Sequence, residues 1–102
     1  MVRLALCNCS RDEASSLARR LVEDELAACV NVFDGVTSIY RWDDELCEDR
    51  EATLLIKTTS ERYQAMAESL ASHHSYDVPE IIAVDPADVA PPYAEWVHEQ
   101  VR

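Results

Sequence analysis

The chain has 102 residues, of which 48% are hydrophobic and 28% charged, and these proportions are typical of one ordinary globular domain. Nine Lys and Arg face 20 Asp and Glu, so the formal net charge of −11 argues against a nucleic-acid partner, which would need a basic surface. The single glycine, Gly35, excludes the glycine-rich phosphate loops of P-loop and dinucleotide-binding proteins. We predict one domain over residues 1–102.

The apolar runs of the chain bear on membranes and export. No run approaches the roughly 20 residues that span a bilayer. The apolar stretch after Met1 turns polar at Asn8, too early for an export signal. Without export, the four cysteines are expected to be reduced thiols, and no C-x-x-C pair indicates a redox or zinc motif. We therefore expect a cytoplasmic protein with no membrane partner.

The first two predicted elements are a strand and a helix. Val2 to Cys9 is short, mostly apolar and polar at its end, which is typical of a buried strand. Ser10 and Asp12 offer N-caps for a helix whose apolar residues recur at helical spacing. We expect this helix to end at about Leu26 or Ala27.

A long hairpin is predicted next. Cys29 to Trp42 is rich in β-branched and aromatic residues, and Gly35 fits a bulge or bend within it. The polar turn 43–45 leads toward a second dense apolar strand, Ala52 to Thr59. The two strands are expected to form one extended hairpin.

The rest of the chain completes a recognisable order of elements. Ser60 is expected to cap a second helix, Pro79 to Asp85 predicts a fourth strand, and Pro91-Pro92 opens a short last helix. The order βαββαβ plus a C-terminal helix is the ferredoxin-like α+β pattern, an antiparallel sheet with both main helices on one face.

One face of this sheet is left without helices. The strand segment 54–56 is apolar on both of its faces, and so is Ile81-Ile82. An exposed apolar patch of this kind usually marks an interface, and a domain of this size has little stability to spare. We predict oligomerisation through the sheet.

Two groups of residues are candidate metal ligands. His73 and His74 lie in a loop with a phenol and carboxylates, and imidazole suits copper and zinc. Cys7 and Cys9 are two apart on a strand, so both thiols face the same side and could share a soft ion such as Cu(I). The alternative is that His73 caps the helix end while the cysteines are small core residues.

No residue pattern points to an enzyme. None of the serines has the context of a nucleophile elbow, and no third group is identifiable that would orient a Cys-His pair. We expect a protein without catalytic activity.

Five segments occur in order along the chain, namely Leu26-Ala-Ala-Cys-Val-Asn31, Thr37-Ser-Ile-Tyr-Arg-Trp42, Leu55-Ile-Lys-Thr58, His74-x-Tyr76-x-x-Pro79-Glu80 and Tyr93-x-x-Trp96. Together they resemble the CutA divalent-cation tolerance proteins from about residue 4 to residue 98. The resemblance implies a ferredoxin-like domain assembled as a homotrimer. It also implies a cytoplasmic bacterial protein linked to tolerance of copper and other divalent metal ions.

The resemblance also implies copper ligands, a cysteine on the first strand and a double histidine. The histidines correspond to His73 and His74. Counting back along the first strand reaches Asn8, between Cys7 and Cys9, so both cysteines stay candidates; a slip of one residue would move the thiol to the other face of the sheet. At position 44 relatives often have Gly, so the hairpin turn here must accept Asp44, for example in a left-handed conformation.

Three functions compete at this point. The leading one is a homotrimer that binds divalent metal ions, copper above all. The second is a PII-like signalling trimer that binds a small ligand between subunits, and the third is a non-catalytic adaptor or anchoring protein. An anionic ligand would need a cleft lined by Lys and Arg, of which this chain has few.

Overall fold

The computed structural model describes all 102 residues and shows four strands and three helices. Their bounds are β1 Val2–Cys9, α1 Ala14–Glu23, β2 Cys29–Trp42, β3 Glu45–Thr59, α2 Tyr63–His73, β4 Ile82–Val84 and α3 Pro91–Gln100. The strands form one antiparallel sheet in the order β2-β3-β1-β4. The predicted α+β fold and its element order are confirmed.

One face of the sheet carries the main core. Alternate residues of the paired strands β1 and β3 point to this side and are fully buried: Ala5, Cys7, Cys9, Ala52, Leu54 and Ile56. Helix α1 covers them with Leu17 and Leu21, four residues apart, and α2 does so with Met66 and Leu70. Both main helices therefore lie on one face, as expected.

Helix α1 ends at Glu23, earlier than the predicted Leu26 or Ala27. Glu25 has a φ of 59°, and the backbone N–H of Leu26 donates to Leu21 O while that of Glu25 donates to Val22 O. These two bonds form a Schellman motif, which closes a helix and is usually signalled by glycine. Because Glu25 takes the glycine position, the sequence did not reveal the stop.

Strand β3 begins at Glu45, seven residues before the predicted Ala52, because the acidic segment pairs with β2 along its length. Asp43 and Asp44 both have positive φ, 50° and 62°, as a two-residue type I′ turn requires. This confirms the left-handed turn that was expected at Asp44. Gly35 has a φ of 75° at a shift in the β2–β3 register, which confirms the predicted bulge.

Two further boundaries differ from the prediction. Strand β4 has only three residues and starts at Ile82 instead of Pro79, so its pairing with β1 is short. Ser60 does not cap α2, which begins at Tyr63, because its hydroxyl donates to Met1 O at 3.0 Å. Helix α3 begins at Pro91, as predicted.

The opposite face of the sheet is only partly covered. Helix α3 packs over one end of it, where Val97 and Val101 contact Val2 and Ala28 in a second small core. The remaining surface, here called the open face, carries half-buried or exposed apolar side chains: Leu6, Phe33, Leu55, Ile82 and Val84. The structure thus confirms the predicted apolar patch. No helix is long and apolar enough to cross a membrane.

Candidate functional site

The loop that joins α2 to β4, here called the 74–80 loop, is fastened to the end of β1 by His74. Its Nε2 donates to Asn8 O at 2.9 Å, and its Nδ1 accepts the backbone N–H of Tyr76 at 3.1 Å. The two partners require that Nε2 carries a proton and that Nδ1 offers its lone pair. Both nitrogens of His74 are therefore occupied within the chain.

The 74–80 loop is also held in place by Glu13, the residue just before α1. Its carboxylate accepts hydrogen bonds from the backbone N–H and the hydroxyl of both Ser10 and Ser75, at 2.6 to 3.1 Å. Burial alone would raise the pKa of Glu13, but these four hydrogen bonds outweigh it and lower the pKa from its ordinary value of 4.5. The ionised carboxylate thus holds the loop against α1.

The two candidate cysteines lie in the main core beneath the helices. Cys7 and Cys9 are fully buried, and they pair across to Leu54 and Ala52 on the face opposite to Asn8. Burial, with a smaller contribution from neighbouring acidic groups, raises the thiol pKa to about 12 for Cys7 and about 11 for Cys9. Metal ions bind the thiolate form of cysteine, and the raised pKa disfavours this form. Neither side chain is therefore a good metal ligand in this chain.

His73 lies at the exposed end of α2. Its Nδ1 hydrogen-bonds to Ser69 O at 2.8 Å, the capping role that the sequence left open, and lies 3.1 Å from the Ser72 hydroxyl. These contacts leave Nε2 without a protein partner. Of the four candidate ligands, only His73 is exposed and has a nitrogen, Nε2, that is free to bind a metal ion.

The structure brings His74 to strand β1, but to the carbonyl of Asn8 and not to a thiol. No group of three or more His, Cys, Asp or Glu side chains converges to hold a metal ion. The set His73, His74, Cys7 and Cys9 is therefore not gathered within a single chain. As a ligand set it stays a prediction.

A cavity of about 580 Å³ lies where the β2–β3 hairpin meets the 74–80 loop. Its lining includes Asn8 and Ser38, the aromatic residues Tyr40, Trp42 and Tyr76, and the carboxylates Glu51, Asp77 and Glu80, with no Lys or Arg. At its inner wall the Tyr76 hydroxyl donates to Glu51 Oε2 at 2.6 Å. Burial first, and then this bond, raise the pKa of the Tyr76 phenol, which therefore stays protonated and donating.

Sequence reasoning did not find this cavity. Tyr40 and Trp42 are two residues apart, so both lie on the same side of β2 together with Ser38. Glu51 fell outside the predicted strand, which was expected to begin at Ala52. The alternation of Ser38, Tyr40 and Trp42 was the signal available.

Comparisons with known proteins agree on one family. The family model described as "CutA1 divalent ion tolerance protein" matches residues 3–100. The Divalent-cation tolerance protein CutA of Thermus thermophilus is 44% identical over 90 residues, covering 88% of this chain and 87% of that protein. Protein CutA of mouse is 41% identical over 99 residues; there the chain covers 56% of the longer relative.

Solved structures show the same likeness over nearly every residue. A divalent cation tolerance protein (Cut A1) from Thermus thermophilus superposes with a TM-score of 0.95 at 41% identity, with both chains covered completely. A PII-like protein CutA from Nostoc, in apo form, gives 0.94 at 28% identity and covers 98% of this chain and 97% of its own. On the family match, the relatives and the shared fold, this chain belongs to the CutA1 divalent ion tolerance family.

Proposed function

We propose that this chain acts in the cytoplasm as a non-catalytic homotrimer that binds divalent metal ions, copper among them, and so contributes to metal tolerance. Membership of the divalent ion tolerance family supports the link to metals. The observation that carries the proposed assembly is the open face.

The open face supports assembly by its chemistry. Ile82 is 49% exposed and Phe33 is 52% exposed on a sheet whose other face packs against α1 and α2. The outer strands β2 and β4 also leave their backbone edges unpaired within the chain. Apolar surface and free edges together favour association with further copies through the sheet.

Copper is proposed as cargo. The burial and hydrogen bonding of the candidate ligands limit which of them can bind it. The cysteines are buried with raised thiol pKa values, and both nitrogens of His74 are occupied, so these residues do not fit a copper site in one chain. His73 fits better, because its Nε2 is free and exposed at the end of α2. A complete site would then need donors from more than one copy.

A competitive titration against a chromophoric chelator tests copper binding, with Cu(I) and Cu(II) measured separately on reduced protein. We expect stoichiometric binding that falls at least tenfold in His73→Ala and is unchanged in His98→Ala, an exposed histidine of α3. The Cys7→Ser/Cys9→Ser variant is expected to bind as the wild type does. Weak binding that survives all the changes would mean that the acidic surface attracts cations without a site.

The PII-like alternative is less favoured for an anionic ligand. The cavity beside Tyr76 has carboxylates and no Lys or Arg in its lining, whereas an anion would need positive groups there. The Nostoc structure is similar to this chain in fold, and the same fold can serve different ligands.

A further inference from the structure

We propose that Cys29 and Lys57 form an oxidative modification site, in which a peroxide oxidises the Cys29 thiol and the Lys57 amine then closes a covalent sulfur–nitrogen bond to it. This bond, a sulfenamide, joins β2 to β3 across the sheet. The proposal does not rest on the metal function, because neither residue is among the four candidate metal ligands.

The first argument is the position of the two side chains. Cys29 and Lys57 lie directly opposite each other in the β2–β3 register, so both side chains leave the sheet on the same face. The Lys57 ammonium donates to Cys29 Sγ at 3.7 Å and to Asn31 Oδ1, on the same strand as the cysteine. Two residues of β2 thus hold the amine of β3 against the thiol.

The second argument is that the amine is available as a nucleophile. Lys57 is the only lysine of the chain, and the remaining Lys and Arg positions are all arginines. An arginine guanidinium stays protonated, whereas a lysine amine can lose its proton and attack an electrophile. Although Asp and Glu outnumber Lys and Arg by 20 to 9, none of the ion pairs includes Lys57. The one amine side chain of the protein therefore lies beside a thiol instead of a carboxylate.

The third argument is that no other thiol of the chain lies near Cys29. Cys29 is half-buried, so a small peroxide can reach it. Cys7 and Cys9 face the main core, and their raised pKa values of about 12 and about 11 disfavour the thiolate that peroxides attack. Cys47 lies near the turn of the hairpin, whereas Cys29 lies at its other end. Within the chain, the amine is therefore the group placed to trap the oxidised sulfur.

The reaction balances in two steps. The Cys29 thiolate attacks one oxygen of hydrogen peroxide, the O–O bond breaks, and a sulfenic acid forms while the departing hydroxide takes up a proton and becomes water. The neutral Lys57 amine then attacks the sulfur, the S–O bond breaks, and the oxygen leaves as water with a proton from the nitrogen. The protein loses two hydrogens, and the peroxide is reduced to two waters. Even a backbone nitrogen condenses with a sulfenic acid in this way, and an amine is a stronger nucleophile.

Peptide mass spectrometry after treatment of the assembled protein with hydrogen peroxide tests the proposal. The remaining thiols are alkylated before digestion, so that they do not cleave the bond. Trypsin cleaves after Arg and Lys, so we expect peptide 21–41 joined to peptide 51–62, with two hydrogens lost and cleavage after Lys57 blocked. The denatured protein should keep the mass of one chain, and dithiothreitol should remove the bond by attack on the sulfur.

Variants separate the two steps. Lys57→Arg keeps the positive charge but removes the nucleophile, so we expect no bond and a Cys29 that is labelled by dimedone, which traps sulfenic acids. Cys29→Ser should also abolish the bond, whereas the matched control Cys47→Ser should leave it unchanged. Asn31→Asp, at an exposed position, gives the ammonium a carboxylate partner and should slow bond formation severalfold, because the paired amine stays protonated.

Several results would overturn the proposal. Equal labelling of Cys29 by dimedone in the wild type and in Lys57→Arg, without a linked peptide pair, would show that the amine does not reach the oxidised sulfur. A linked pair at the mass of two chains would place the bond between copies instead of across the sheet. A linked pair that retains one oxygen would exclude a direct sulfur–nitrogen bond. Oxidation of Cys47 but not of Cys29 would show that peroxide does not reach the site.

Discussion

At the scale of single residues, buried polar groups are tied to specific partners. The Thr58 hydroxyl, fully buried, donates to Leu26 O at 2.7 Å and so joins β3 to the segment that follows α1. Glu13 joins α1 to the 74–80 loop in the same way, with an ionised acceptor. Both contacts connect segments far apart in sequence, so we expect the loss of either one to lower the free energy of unfolding of the whole chain.

Replacing Thr58 by Val keeps the shape of the side chain and removes its hydrogen bond. We expect the free energy of unfolding to fall by about 1–3 kcal/mol, because a buried carbonyl loses its partner. Urea denaturation at fixed protein concentration measures the loss. Thr37→Val, at an exposed position of β2, is the control and should change stability by less than about 0.5 kcal/mol. Equal effects of the two changes would contradict the role given to Thr58.

Glu13 predicts a dependence of stability on pH. Its pKa is lowered in the folded state, so the folded protein favours the ionised form; this contribution is fully present above the ordinary pKa of 4.5 and is lost as the pH falls through the lower folded-state value. Glu13→Gln should therefore flatten the fall of stability below pH 4.5. Thermal melts across that range, with Glu23→Gln on the exposed side of α1 as control, measure the difference. An unchanged slope in Glu13→Gln would refute it.

At the scale of elements, the hairpin depends on two backbone features that need positive φ. Asp43 and Asp44 form its turn, and Gly35 forms the bulge that shifts the register between Phe33 and Val36. A Cβ at Gly35 would also lie 3.3 Å from the Arg50 guanidinium, which is the movable end of a long side chain. The backbone conformation, more than the space, therefore limits this position.

Substitutions at Gly35 separate these two effects. Gly35→Ala should lower stability by about 1 kcal/mol or more, because alanine is strained at positive φ. Gly35→Asn adds a larger side chain but accepts the left-handed region more readily, so it should cost less than alanine. Chemical denaturation measures the free energy of unfolding of both variants and of the wild type. A larger loss for asparagine than for alanine would show that space, not φ, is limiting.

The same elements show what the sequence could and could not predict. Period-two and helical patterns identified every strand and helix, and the Gly35 bulge followed from the lone glycine. The end of α1 was missed because Glu25 replaces the expected glycine, and the start of β3 because its first residues are acidic. The candidate metal site could not be predicted, because it depends on which face of β1 each side chain occupies. Cys7 and Cys9 face the core while Asn8 faces away, and the sequence pattern of β1 does not determine this.

At the scale of the whole molecule, the chain is elongated, 45 × 26 × 21 Å, because the hairpin extends beyond the helices that cover the rest of the sheet. A domain of this size buries a modest core, and part of its apolar surface lies on the open face. Assembly would cover that surface, so folding and association are expected to be linked.

This link predicts how stability depends on concentration. The wild-type melting temperature should rise with protein concentration, as it does when only the folded state associates. Ile82→Asp, on the open face, should give smaller particles in light scattering and a lower melting temperature, whereas Val22→Asp, on the exposed side of α1, should keep the wild-type mass. A well-folded wild-type monomer at micromolar concentration would contradict the proposed trimer.

The four thiols differ in burial, so their rates of alkylation can report how often the helices separate from the sheet. Cys7 and Cys9 lie sealed between sheet and helices, while Cys29 and Cys47 are half-buried. An alkylating reagent should modify the latter pair from the native state and reach the former pair only when the helices part from the sheet. The ratio of the two rates then reports the frequency of that separation, without an engineered probe.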